Sequence, residues 1–555
     1  MFNLNHLQGL FSLLREKFDS MESELNALDS EVGDGDHGFT MSRTMRAAEL
    51  AAAADFHHLG EGFDAVAESM AENAGGAIGP LLASLFAEGG VIFNDRSNLD
   101  PADFSKFLAG GLIAIQEVGG AKPGDKTMVD ALAPAAAVVS GVDFPSLDLC
   151  LEQASLAARK GAERTREMAA AHGRASFVAD RSRGHQDAGA TSLALILETW
   201  LDYLRGSRSE PGGADKEEIF SPPPGKLVNH PDHMVLEDNQ GLALLYPNLV
   251  RLSDGILLRA HSKDEGKTAL VIGHGGGHTP SMGGFIGPGL LDADVYGPIF
   301  TCASGVSIAR AIEKGDRGAG VVLLVSNHSG DVLNARLGVR RARQKGVKVE
   351  PVLMGDDIAT ASREEYQKRR GLGGLLFGLK IGGGAAEDGR SLNEVVEIIQ
   401  RTNQRTATLS VAVKPPTHPA TGLPLFELPE GQIEVGTGVH GELGIYRGSH
   451  LSAGEIIEML LEKLVEDIKD FDPRQVLVFI NGAGGTSRME LHILYNEAYQ
   501  DLTSRGIQVA AGVADSFFTT GEMGGFSLSI CAADQEMLNY WNYPASSPCF
   551  RWPQE

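Results

Sequence analysis

Residues 206–226 read GSRSEPGGADKEEIFSPPPGK, and they divide the chain. Pro, Gly, Ser and charged residues fill the stretch, which is the composition of a linker. Upstream, apolar residues recur at three- and four-residue spacing in HLQGLFSLLREKFDSMESELNALD, FDAVAESMAENA, FSKFLAGGLIAIQEV, SLDLCLEQASLAARKGAERTREMAAA and TSLALILETWLDYLRG. That spacing gathers the apolar side chains on one face of a helix. Downstream, the short runs KTALVIG, GVVLLVSN, VKVEPVLM, LSVAVKP, QVLVFING and IQVAAGV alternate with helical stretches such as VSIARAIEKG and SAGEIIEMLLEKLVEDI. Such alternation predicts α/β layers with a parallel or mixed sheet. The expected architecture is multidomain: an all-α unit at 1–205, the linker, and an α/β region at 227–555 large enough for two subdomains.

Composition narrows the partners. The net charge of −25 over 555 residues argues against nucleic acid or an anionic membrane, which are bound by basic surfaces. It leaves room for a nucleotide held by backbone N–H groups and a metal. The four cysteines, Cys150, Cys302, Cys531 and Cys549, form no CxxC pair, which points to a reducing, cytoplasmic setting. No apolar run reaches the ~18 residues of a membrane span, and the N-terminus has no signal-peptide core.

In the helical half, LDSEVGDGDHGF places Asp29, Asp34 and Asp36 within eight residues. A hard cation takes carboxylate oxygens of this kind together with substrate phosphate. An EF-hand is excluded, because the twelfth position from Asp34 is Met45. Read alone, the stretch is better explained by an acidic capping turn. Further glycine-punctuated helix starts follow in NAGGAIGPLLASLF, GGAKPGDKTMVDAL and GRASFVADRSRGHQDAGATS. Helix N-termini favour phosphate, so together they point to a site for a metal-bound polyphosphate. The second is not a Walker loop: Asp125 intrudes before Lys126–Thr127, and no strand precedes it.

In the α/β half, ALVIGHGGGHTPSMGG follows a strand and supplies glycines where a helix should start. It is a poor dinucleotide fingerprint, because His278 stands where the last glycine belongs. Those glycines also disfavour a helical metal pair from His274 and His278. LLVSNHSGDVLN puts Asp331 just after a strand, and IEVGTGVHGELGIYR puts His440 in a glycine-flanked turn. Ionisable residues in glycine loops at strand ends are catalytic candidates.

These motifs together resemble the dihydroxyacetone kinase family. LNALDSEVGDGDHGFTM, GGAIGPL, PGDKTMVDAL and GRASF…GHQDAGATS match its nucleotide-binding L domain over residues 1–205. GGGH, GFIGPGLLDADVYGPIFT, SGDVLN, GGGAAEDG, GVHGELG, NGAGGTSRMEL and EMGGFSLSI match its substrate-binding K domain over about 226–555. The resemblance implies a closed barrel of antiparallel helices with Mg-ATP at one end. Asp29, Asp34 and Asp36 would then be the Mg2+ ligands, and His37, Gly76, Ala77, Thr127, Met128 and Arg174 would lie about the nucleotide. It implies that His440 captures the carbonyl of dihydroxyacetone, glyceraldehyde or a tetrulose such as erythrulose as a covalent hemiaminal. His278 would hydrogen-bond the captured sugar, Asp331 would take the proton of the attacking hydroxyl, and Gly275, Gly276 and Gly277 would face the substrate oxygens. An ATP-dependent kinase acting as a homodimer is the expectation. Alternatives on the same scaffold are a non-catalytic ligand sensor or co-regulator and an FAD-AMP lyase (cyclizing) side activity.

The sequence departs from the family pattern at several positions. Ile78, Gly276, Thr279, Ser326 and Leu443 replace its usual serine, serine, glutamate, lysine and proline, and the L-type half precedes the K-type half.

Overall fold

A computed structural model describes residues 2–30, 33, 35–73, 76–94, 96–172, 182–206, 222–419, 421–442 and 444–553. The chain forms two compact units, Met1–Ile219 and Phe220–Glu555. Most of the linker expected at 206–226 lies outside the described residues, as do Asp34, Arg174 and Leu443.

The first unit is helical: α1 (Leu7–Ser30), α2 (His37–Ala52), α3 (Leu59–Asn73), α4 (Ile78–Ile92), α5 (Pro101–Gly119), α6 (Val129–Val139), α7 (Leu147–Arg164) and α8 (Ala188–Leu204). Each helix packs on the next, and α8 returns to α1. With neighbours antiparallel, the starts of α2, α4, α6 and α8 gather at one end, where the glycine motifs lie. Toward the other end the core is aromatic. Phe63 sits 4.8 Å from Phe93, and Trp200 5.4 Å from both Phe104 and Phe2. One departure from an all-α reading is a two-residue ladder, β1 (Phe2–Asn3) against β2 (Asn98–Leu99), which anchors Phe2 over that core.

The second unit begins with α9 (Met234–Leu245) and builds two six-stranded sheets. The first holds β3 (Val250–Ser253), β4 (Ile256–Arg259), β5 (Ala269–Gly276), β6 (Ala293–Ile299), β7 (Val321–Ser326) and β8 (Val349–Met354), in the order β3-β4-β6-β5-β7-β8. Its β6-β5-β7-β8 block is parallel. The helices α10 (Gly305–Gly315), α11 (Ser329–Gln344), α12 (Leu375–Glu387) and α13 (Leu392–Gln404) lie between its strands and the second sheet in sequence. The second sheet holds β9 (Thr406–Lys414), β10 (Gln432–Val435), β11 (Tyr446–Ser449), β12 (Gln475–Gly482), β13 (Gln508–Asp515) and β14 (Gly524–Ala532). Its order is β11-β10-β9-β14-β12-β13, and only β12 and β13 run parallel. The helices α14 (Ala453–Ile468), α15 (Arg488–Ser504) and α16 (Gln535–Trp541) complete the unit.

The alternation along the strands sorts the core into layers. Val271 and Leu323 of the first sheet face α10 and α11, while Ile272 and Leu324 face inward. Leu477 and Phe479 of the second sheet join that inner layer with α12, and Val478 and Ile480 face α14 and α15. The result is a helix–sheet–helix–sheet–helix stack. Among the described residues no helix is long and apolar enough to cross a membrane.

The helix expected after the glycines of β5 does not form. A short 3-10 turn at Gly283–Phe285 follows instead, and the next helix, α10, begins only after β6. Backbone crowding explains this. The amide of Phe300 donates to the Gly276 carbonyl at 2.8 Å, so the glycines are spent on contact with the β6 loop rather than on opening a helix.

Candidate active site

Loops from both sheets of the second unit converge on His440. The ring of His440 lies in the turn between β10 and β11, and its Nε2 is 3.2 Å from Nε2 of His278 after β5. Nδ1 of His278 is 2.7 Å from the carbonyl oxygen of Thr519, which can only accept, so Nδ1 carries the proton and Nε2 a lone pair. Burial and the neighbouring His440 ring hold the His278 imidazole well below its ordinary pKa, in keeping with a neutral ring. On the far side of His440, Nδ1 stands 3.5 Å from Oε1 of Glu442, and the His440 amide donates to Oε2 at 2.9 Å.

His328 closes the third side. Its ring centroid is 5.7 Å from that of His440, and its Nε2 lies 3.1 Å from the Gly371 carbonyl. Asp331 follows three residues later, in the first turn of α11, where it also acts electrostatically on His274. Phe300 flanks both imidazole rings, 5.4 Å from His278 and 6.1 Å from His440. The structure therefore brings His278, His328 and His440 to one place from three segments, with Asp331 in the first turn of the helix that follows His328.

The glycines behave differently. Gly275 and Gly276 are the last residues of β5, and a Cβ on Gly276 would run into Val235 of α9. That contact explains why no side chain stands at this position. Gly277, at φ +88°, turns the chain beneath Phe300 and leads to His278. Thr279 donates to Asp238 of α9 at 3.0 Å. His274 is buried and is 3.3 Å from Asp294, a structural pairing rather than a metal pair with His278.

The sequence reading missed His328, Glu442 and Phe300. The signal was present: SNHSGD and VHGELG each hold a second ionisable residue within three positions of the one singled out. Spacing alone does not show that Glu442 turns back onto His440.

In the first unit, Asp29 lies in the last turn of α1, and its Oδ2 accepts the amides of Gly35 at 2.8 Å and Asp36 at 3.3 Å. His37 opens α2 and reaches Ser192 of α8 at 2.8 Å. Burial lowers the His37 pKa, and Asp29 opposes that shift. Asp187 caps α8 through the Ala190 amide at 2.7 Å. Desolvation raises its pKa to about 7, with the Asp29 carboxylate adding to the rise. Asp29, Asp36, His37 and Asp187 thus share one end of the unit. Gly76 and Ala77 precede α4, whose N-cap Ala77 offers no side-chain cap, so its first amides face that end. Met128, buried at the start of α6, lies against Gly189 of α8, and Thr127 donates its amide to Asp130 at 2.9 Å. Oxygen donors beside an uncapped helix start fit a hard cation and an anionic ligand.

A helical unit with a carboxylate-rich end and an α/β unit with two facing imidazoles define a two-unit protein of the kind described by two family models. A DAK2 domain matches residues 31–202 and a Dak1 domain residues 240–549, and the chain belongs to the dihydroxyacetone kinase family. An L-erythrulose kinase of Pectobacterium atrosepticum is 34% identical over 329 residues, covering 59% of this chain and 56% of the kinase. The chain thus spans little more than half the length of that relative. The dihydroxyacetone kinase of C. freundii, solved with AMP-PNP and Mg2+, is 28% identical with a TM-score of 0.54, over 59% of this chain and 62% of that one. A dihydroxyacetone kinase operon co-activator, DhaQ, has the same identity and TM-score, over 56% of this chain and 97% of that one.

Proposed function

We propose that the protein is an ATP- and Mg2+-dependent kinase of a small carbonyl sugar, held on His440 and phosphorylated at a terminal hydroxyl. The observation that carries this reading is the 3.2 Å approach of the His278 and His440 Nε2 atoms. With a proton on each Nδ1, both Nε2 lone pairs point into the same space, where one can attack a carbonyl carbon and the other can accept a hydrogen bond. When His440 Nε2 attacks a carbonyl carbon, the carbonyl oxygen takes up a proton from solvent and becomes the hemiaminal hydroxyl, which can donate to the Nε2 lone pair of His278. Short sugars offer little apolar area, so reversible covalent capture supplies affinity and rejects polyols. Capture also fixes the terminal hydroxyl, whose proton Asp331 accepts as phosphoryl transfer proceeds.

Asp29, Asp34 and Asp36 would hold Mg2+, with His37, Gly76, Ala77, Thr127, Met128 and Arg174 about the nucleotide at the open end of a helical barrel. The bound Mg-ATP supplies the phosphoryl group and neutralises its charge. Dihydroxyacetone, glyceraldehyde and erythrulose are the candidate acceptors. All four cysteines are free thiols, which suits a cytoplasmic enzyme.

The test is ATP consumption with three- to five-carbon ketoses and aldoses, with no other protein present. His440→Ala should abolish capture and turnover; Asp331→Asn should retain capture and lose turnover. Phosphoryl transfer by the His440→Ala protein would refute the reading. The DhaQ likeness favours a second reading, a carbonyl-sensing co-regulator, which predicts capture without ATP consumption at any sugar tested.

A further inference from the structure

Glu442 is the residue of the capture site that no motif singled out, and its surroundings are specific. It is 5% exposed, and Oε1 faces both Nδ1 of His440 at 3.5 Å and Nη1 of Arg370 at 3.7 Å. Arg370 is itself buried, paired with Asp357 at 2.7 Å and donating to the Gly436 carbonyl at 3.0 Å. Burial alone would push the Glu442 carboxyl up, but Arg370 and His440 outweigh it and leave the carboxyl well below its ordinary range. Glu442 is therefore a carboxylate whose position is held by a guanidinium behind it and a backbone amide beside it.

We propose that Glu442, held by Arg370, is the positioning residue of the capture site: it fixes the proton of His440 on Nδ1 and balances the positive charge that the ring acquires on attacking a carbonyl. The inference rests on the capture reading above. When Nε2 forms its bond to the carbonyl carbon, the neutral imidazole becomes an N-substituted imidazolium, and the carbonyl oxygen takes up a proton from solvent to become a hydroxyl. No proton leaves the site, and the new positive charge lies against Glu442. An imidazole without this partner would distribute its proton between both nitrogens and lose nucleophile from Nε2.

His328, His440 and Glu442 also offer ligand atoms within 4.8 Å of one another, the spacing of a metal site. The Arg370 guanidinium argues against that use. It already supplies the positive charge that a cation would bring, and a cation at Glu442 would be repelled by it.

The deciding variant is Glu442→Gln. A glutamine amide can accept the His440 backbone N–H through its oxygen only by turning its NH2 toward Nδ1. The ring proton is then driven to Nε2, where it blocks attack. In 15N-histidine NMR of the full-length protein without ligand, His440 should be the Nδ1–H tautomer, and in Glu442→Gln the Nε2–H tautomer. Capture of 13C-labelled dihydroxyacetone should weaken by about 10- to 100-fold, and Glu442→Asp, which keeps the charge, should recover part of it. An Nε2–H tautomer in the unaltered protein, or no change in Glu442→Gln, overturns the proposal. So does a stoichiometric divalent metal in the purified protein that Glu442→Gln loses. Should the full-length protein capture no carbonyl compound, the kinase reading fails, while the tautomer measurement still decides the role of Glu442. If Glu442→Gln does not fold, Glu442→Asp and the tautomer of the unaltered protein carry the test.

Discussion

Two buried lysines show how far a residue's type is from its use. The run GDKT places Lys126 where a phosphate-binding lysine would stand. In the structure its Nζ is turned away, donating to the carbonyls of Thr165 at 2.9 Å, Ser182 at 2.7 Å and His185 at 2.5 Å. It ties the loop before α6 to the loop before α8 and is not available to a ligand. Lys380, on α12, is fully buried and donates to the carbonyls of Tyr540 at 3.0 Å and Tyr543 at 2.8 Å, with no carboxylate near. Burial lowers its pKa from 10.5 to about 7. Between these values the unfolded chain binds more protons than the folded one, so this group makes stability rise with pH. At pH 7 and below its cost is fully present, and above pH 10.5 it is gone. Lys380→Met removes the dependence. In urea unfolding at pH 7, 8 and 9 the unaltered protein should gain on the variant by about 1 kcal/mol per pH unit. Parallel stability curves for the two proteins would mean that the lysine is not buried as described.

At the scale of elements, most of the helices in the first unit could be read from apolar spacing, and the β-branched runs gave six of the twelve strands in the two large sheets. What escaped reading was glycine-rich. The helix α12, LLFGLKIGGGAAE, holds four glycines in thirteen residues, a composition that opposes a helix by propensity. Tertiary packing overrides it. A Cβ on Gly383 would lie 2.5 Å from the Gly289 carbonyl, so the helix can sit between the two sheets only with its surface stripped. β14 escaped for a similar reason, since it opens on Gly524 and Gly525. The catalytic candidates were legible because glycine turns at strand ends expose ionisable groups. Their partners, Glu442 and His328, were not: Glu442 turns back onto His440 two residues away, which spacing does not show, and His328 meets His440 and Gly371 across the fold.

The glycine loop of β5 gives a prediction at this same scale. Val235 of α9 fills the space that a side chain at position 276 would need. Gly276→Ser should therefore destabilise the second unit by about 1–3 kcal/mol through overpacking. Val235→Ala in the same protein should return most of that loss, because the two positions touch. Thermal unfolding of the two single variants and the double variant measures the coupling, and additive effects would show that α9 does not seal the loop.

For the whole molecule, the division of labour follows from where the cores lie. The aromatic core of the helical unit involves Phe2, Phe63, Phe93, Phe104 and Trp200, all from residues before 205. Among the described residues, the layered cores of the second unit draw only on residues from 242 onward. Each unit buries its own apolar surface, the condition for folding alone. The DhaQ co-activator, 97% of whose chain matches 56% of this one, is a separate chain of about that size. Among the described residues, His278, His328, Phe300 and Glu442, which face the His440 ring, come from the second unit. A fragment of residues 222–555 should then capture dihydroxyacetone or erythrulose as the full chain does, within about threefold, since those contacts are local to it. It should transfer no phosphate, because the carboxylates at Asp29 and Asp36 are missing. Adding a fragment of residues 1–206 should restore ATP-dependent turnover in proportion to its concentration, with the capture affinity unchanged. A well-folded 222–555 fragment that fails to bind the sugar would show that capture depends on the helical unit, and the separation of roles argued from the two cores would fall.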